Sequence, residues 1–181
     1  SGTVYAVYGA EVVNPGGDTD TSVVLARSTD GGATYSHFIR PSTAPDLPPT
    51  MEHPTTLPGN DRWFVAAGPH PGDPSQQNVY VTMTANIDLG DGLNQAIIVV
   101  PSHDGGQSVL TSIYVNDKSI PPSKETHNIS ADPGIGPNGE LYVSWFHTST
   151  LEIFIDISTD GGLTFGTDTR VAVVTMAHRT K

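Results

Sequence analysis

The stretch "RSTDGGATYSH" at residues 27–37 decides the reading of the whole chain, because close copies of it recur as "PSHDGGQSV" at 101–109 and "ISTDGGLTFG" at 157–166. In each, an Asp precedes two glycines, with a Ser two residues before the Asp. The Asp carboxylate can accept hydrogen bonds from backbone N–H groups ahead of it and so brace a turn. The glycines supply positive φ without a Cβ penalty. Such a turn, met three times in the same phase, predicts a repeated hairpin corner.

The flanking sequence repeats as well. The residues before the corners read "SVVLARST", "AIIVVPSH" and "EIFIDIST", all apolar and β-branched. Further upstream lie "GTVYAVYGA", "QNVYVTMTA" and "GELYVSWFH", with Tyr5, Tyr80 and Tyr142 in one common place. These patterns predict strands. The Tyr-to-Asp separation is 25, 24 and 18 residues (5 to 30, 80 to 104, 142 to 160). Strand lengths hold while loops vary, as expected of a repeated β unit. A strand before the Tyr strand ("DRWFVAAGP" at 61–69, "HNISADPG" at 127–134) and one after the corner ("YSHFIRP", "SVLTSIYV", "TRVAVVT") complete a unit of four strands, A to D. No helical periodicity is sustained beyond a turn or two.

Serial four-stranded antiparallel units predict an all-β β-propeller, with about three blades in this chain. Blade 1 spans about residues 1–45 and lacks its inner strand, blade 2 about 60–118, and blade 3 about 126–175. Three blades left open expose strand edges, so the propeller is expected to be completed by further sequence or by another copy. The tail "TMAHRTK" is one candidate for the missing strand.

Composition sets the outer limits. The chain has 181 residues, 19 Gly and 15 Pro, no Cys and a formal net charge of −11. The charge disfavours nucleic-acid backbones. The absence of Cys excludes disulfides and thiolate metal sites. No apolar run approaches the roughly 20 residues of a membrane helix, and no membrane insertion is expected. No leader-like segment is visible, which predicts a mature or excised chain. The acidic, Cys-free, Thr/Ser/Gly-rich composition suits a secreted protein.

The pattern Ser-x-Asp-x-Gly-x-Thr-aromatic resembles the Asp box, or bacterial neuraminidase repeat, of sialidase-like β-propellers. "STDGGATY" and "STDGGLTF" match it; "SHDGGQSV" departs, with Ser108 for Thr and Val109 for the aromatic. The resemblance implies structural roles for Ser28, Asp30, Gly32 and Thr34, for Ser102, Asp104 and Gly106, and for Ser158, Asp160, Gly162 and Thr164. Tyr35 and Phe165 are expected to pack between blades. In the family these boxes lie at the periphery, away from the active site.

The sialidase pentad that the resemblance brings with it includes three Arg that clamp a carboxylate. The family's Arg-Ile-Pro motif is absent. Of the five arginines, Arg27, Arg40 and Arg170 fall on outer strands, leaving Arg62 and Arg179 nearer the axis. No residue is assigned as catalytic, and autonomous sialidase activity is not expected. The D–A and B–C connections are expected to share the face opposite the boxes, which bears the ligand site in relatives. Glu52, His53, Asp61, Arg62, Glu125 and His127 are the ligand-face candidates there. The echo of "TMEHPT" at 50–55 in "TMAHRT" at 175–180 reads as recurring turn chemistry or as a site near the axis.

The acidic B–C loops read as solvated turns, with Asp88, Asp91 and Asn94 the candidates for Ca²⁺ as an oxygen-liganded cofactor. His70 and His103 read as surface turn residues. Trp63, Tyr142, Trp145 and Phe146 read as core or inter-blade packing. The sequon "NIS" at 128–130 is discounted because it lies on a predicted strand. The functions left open are a secreted glycan-binding, adhesive or extracellular assembly module, a fragment of an exo-sialidase or related glycoside hydrolase, and a structural filament subunit. Carbohydrate and self-association are the expected partners.

Overall fold

The computed structural model describes residues 2–13, 19–35, 37–39, 61–88, 93–117 and 127–175. Among these there are eleven strands and no helix. They form three separate antiparallel meanders, none closed into a barrel. Sheet I holds β1 (Val4–Val13), β2 (Thr19–Ser28) and β3 (His37–Ile39) in that order. Sheet II holds β4 (Asp61–His70), β5 (Asp73–Asp88), β6 (Leu93–Ser102) and β7 (Ile113–Tyr114). Sheet III holds β8 (Asn128–Ile135), β9 (Leu141–His147), β10 (Glu152–Ser158) and β11 (Thr169–Val173).

The fourth strand of sheet II is shorter than the run 108–115 predicts. Residues up to Ser108 are taken by the corner, and Ile97 N–H is met by the Asn116 side chain. Only Ile98↔Tyr114 and Val99↔Ile113 pair as a ladder.

One register recurs in all three sheets. The Tyr of the second strand stands opposite the residue just before the corner Ser: Tyr5↔Arg27, Tyr80↔Pro101 and Tyr142↔Ile157. Side chains alternate across a strand, so this register fixes which face each residue serves. On sheet II, Val79, Val81, Met83, Ile98 and Val100 turn to one side and join Val23 and Leu25 of sheet I. Tyr80, Ile97 and Val99 turn to the other and join Leu141, Val143 and Trp145 of sheet III. Sheet II is therefore buried on both faces. That is why "AIIVV" is a continuous apolar run rather than an alternating one.

The layers are locked at close approaches. Trp63 lies against Gly9, where a Cβ would come within 2.6 Å of the indole. Ile135 covers Gly68 in the same way, at 2.5 Å. Strand β8 runs across sheet II, meeting β4, β5 and β6. There the Thr82 hydroxyl donates to the Ala131 carbonyl.

Candidate functional site

The three corners are built alike. Ser28, Ser102 and Ser158 each donate Oγ–H to the corner Asp, at 2.6, 2.8 and 2.7 Å. The same oxygens accept the N–H of Gly32, Gly106 and Gly162, each at 2.9 Å. Asp30, Asp104 and Asp160 then accept both the backbone N–H and the hydroxyl of Thr34, Ser108 and Thr164. Ser108 reproduces every bond that Thr makes, because the corner needs a hydroxyl and not a methyl group. Both glycines of each pair have positive φ, from 70° to 93°.

These bonds favour the carboxylate form. At Asp30 the Ser28 hydroxyl is the largest influence, followed by Thr34, and together they hold the carboxyl well below the ordinary 3.8. At Asp104 partial burial pushes upward, but Ser108, Ser102 and Gln107 outweigh it and set the value at about 2. Asp160 follows the same pattern, lowered against burial by Thr164, Ser158 and Leu163. The corner carboxylates thus brace their own turns, Asp30 through three bonds and Asp104 through four.

His70 and His103 are not the surface residues expected. Their rings meet edge to face at 5.0 Å, and His103 Nε2–H donates to Gly161 O of sheet III at 2.7 Å. His70 pairs with Asn78, whose amide donates to Tyr80 Oη at 2.7 Å. Both belong to the junction between sheets II and III. Sequence reasoning misses them because a turn position carries no periodicity that would reveal packing against another sheet.

The opposite end of the stack is where β4 and β8 begin and where β5 and β9 end. Arg62 and Ser130 sit at matching places on β4 and β8, each at a register shift, and both have positive φ (57° and 61°). A non-Gly residue in this region costs on the order of 1–3 kcal/mol and such strain clusters at functional sites. Arg62 Nη1 donates to Ser130 Oγ at 2.8 Å, bridging the two bulges.

Two residues before Ser130 on the same strand, Asn128 is 1% exposed, and neither its amide nitrogen nor its amide oxygen has a hydrogen-bond partner among the described residues. The Thr84 hydroxyl is likewise buried and has no partner among the described residues. An orphaned buried polar group costs about 1–3 kcal/mol. The burial of Asn128 also leaves the "NIS" amide out of reach of glycosylation in the folded chain.

His127 precedes Asn128 and lends its carbonyl to Thr148 N–H at 2.9 Å. His147 pairs across from Asn128. Burial pushes the His147 imidazole down, nearby Glu152 opposes this, and His127 adds to the lowering. Its Nδ1 accepts from Thr150 N–H at 3.3 Å, which places the ring proton of the neutral form on Nε2. Glu152 is engaged by Arg170 at 2.9 Å.

Of the ligand-face candidates, Arg62 and His127 thus stand at this end. Asp61 is on β4, paired in backbone register with Thr84. Glu52, His53 and Glu125 lie outside the described residues. For the Ca²⁺ candidates, Asp88 on β5 pairs in backbone register with Leu93, Asn94 on β6 pairs with Ile87, and Asp91 lies outside the described residues. Among the described residues no three acidic, His or Cys side chains converge as a metal site. Arg27 and Arg170 are on β2 and β11, in sheets other than that of Arg62. Sequence reasoning missed Asn128, Ser130, Thr84 and His147, since strain at a non-Gly bulge and an orphaned amide leave no mark in composition or spacing.

No family model matches the chain, and no curated protein does. Among solved structures it is similar to a protein of unknown function from Dyadobacter fermentans DSM 18053, at 18% identity and a TM-score of 0.58. The match covers 93% of this chain and 47% of that one, so the chain spans about half the length of that neighbour. At this identity the likeness is one of fold alone.

Proposed function

We propose that the three sheets are successive blades of a secreted, sialidase-like Asp-box β-propeller, and that the end of the stack opposite the corners binds carbohydrate. The observation that carries this reading is the pair of strained bulges at Arg62 and Ser130, bridged by a hydrogen bond and adjoining the unpartnered Asn128 amide. Sugar hydroxyls both donate and accept. A guanidinium, a hydroxyl and two imidazoles offer the mixed complement that polyols need. An acidic chain would not hold a polyphosphate there.

A glycan array probed with the chain and with Arg62→Ala tests it. Retention of a defined set of glycans is expected, weakened about tenfold or more in the variant, as befits loss of a charge-assisted hydrogen bond. No retention, or equal retention by the variant, overturns it. The alternative is a fragment of a glycoside hydrolase, supported by Arg62 lying at this end and by the greater length of the structural neighbour. Release of fluorophore from a sialoside by the chain alone would favour that alternative.

A further inference from the structure

Inside the chain one contact is made twice. Tyr5 of sheet I lies over the corner of sheet II: its hydroxyl donates to Gly105 O at 2.9 Å, and a Cβ on Gly106 would meet its ring at 2.9 Å. Tyr80 of sheet II lies over the corner of sheet III, 3.1 Å from the same virtual atom on Gly162. The last residue of each corner motif packs into the same junction, Val109 between sheets I and II and Phe165 between II and III. All four glycines of these two corners are buried.

The two ends of the stack hold the halves of a third such contact. Tyr142, in the register place of Tyr5 and Tyr80, is on the outer face of sheet III, and its hydroxyl has no partner among the described residues. Beside it, Ile153 and Ile155 occupy the places that Val23, Leu25, Ile97 and Val99 fill in the buried junctions, and Ile157, in the place of Arg27 and Pro101, is 41% exposed. At the other end, Gly31 has no atom within 4 Å of its virtual Cβ, and the corner residue Tyr35 is 37% exposed. Tyr8 stands in the register place of Met83 and Trp145, which are buried, yet it is 43% exposed.

We infer that these faces join between copies of this chain, with Tyr142 of one copy seated on the Gly31–Gly32 corner of the next. The interface continues the one that packs sheet I on II and II on III. It is head to tail, so it builds a closed ring or an open series rather than an isologous pair. The Ile153, Ile155 and Ile157 row and the Tyr8 and Tyr35 rings are apolar or aromatic while the chain carries −11, so association strengthens as salt screens the mutual repulsion. The inference is independent of the carbohydrate reading.

Sedimentation velocity of the chain over a concentration series tests it, with Tyr142→Glu and Tyr8→Glu as single-face variants and far-UV circular dichroism as the check on folding. The wild-type chain is expected to associate and each variant alone to remain a single copy. A mixture of the two variants should form a one-to-one pair, because each retains the half the other has lost. A wild-type chain that stays single throughout overturns the inference and assigns the end faces to further sheets of a longer polypeptide. Folded variants that associate as well as wild type, or fail to pair when mixed, also overturn it.

Discussion

Asp104 accepts four hydrogen bonds, from Ser102 Oγ, Gln107 N, Ser108 N and Ser108 Oγ. Removing the carboxylate strands the two backbone donors at a bend that the glycines alone cannot brace. Asp104→Ala should therefore cost about 1–3 kcal/mol of unfolding free energy, read by urea denaturation. An unchanged midpoint would mean that the corner is held by its glycines. This much was legible in residues 27–37, where spacing and residue type name donors and acceptors within one turn. Ser108 reads as a departure from the pattern, yet its hydroxyl does the work of Thr. Arg62 and Ser130 were not legible as strained positions, because their left-handed backbone is imposed by the bulge and not by their side chains.

At the level of strands, the junction of sheets II and III gathers like charge. Asp117 and Asp168 exchange backbone-to-carboxylate bonds at 3.1 and 3.2 Å. Burial above all, then the neighbouring charges of Asp117 and Asp156, push Asp168 up to about 6. Burial also raises Asp156, whose Oδ2 is unpartnered. A raised folded-state value means that the folded chain binds this proton more tightly than the unfolded one between about 6 and the ordinary 3.8. Stability should then rise as pH falls through that window. The corner carboxylates act in the opposite sense, their contribution being lost as pH falls from 3.8 towards about 2.

Melting temperature against pH should thus pass through a maximum near the lower end of the Asp168 window, then drop. A monotonic decline from neutral pH would contradict this. Asp168→Asn should stabilise at pH 7 by on the order of 1 kcal/mol, discounted for solvent screening of a half-exposed group, with the gain vanishing near pH 4. The strands themselves were readable from apolar runs and the Tyr phase. The acidic junction was not, since Asp117, Asp156 and Asp168 are far apart in sequence and meet only when sheet III lies on sheet II.

For the whole molecule, the account rests on each sheet seating a Tyr on the next sheet's Gly-Gly corner. The threefold sequence repeat revealed equivalent units but not how they face one another; that comes from the register, which turns Tyr5 and Tyr80 towards the following sheet and leaves Tyr142 outward. Glycine-to-alanine substitution at the second glycine of each corner measures the contact. All three positions have positive φ (93°, 78° and 83°), so each variant bears a left-handed penalty of about 1–2 kcal/mol. Only Gly106 and Gly162 have a Tyr ring against the added methyl group; at Gly32 the nearest atom is 3.8 Å away.

The decisive measurement is the unfolding free energy of Gly32→Ala, Gly106→Ala and Gly162→Ala at a dilution where the chain is a single copy. Gly106→Ala and Gly162→Ala are expected to lose clearly more stability than Gly32→Ala. Equal losses at all three would contradict it.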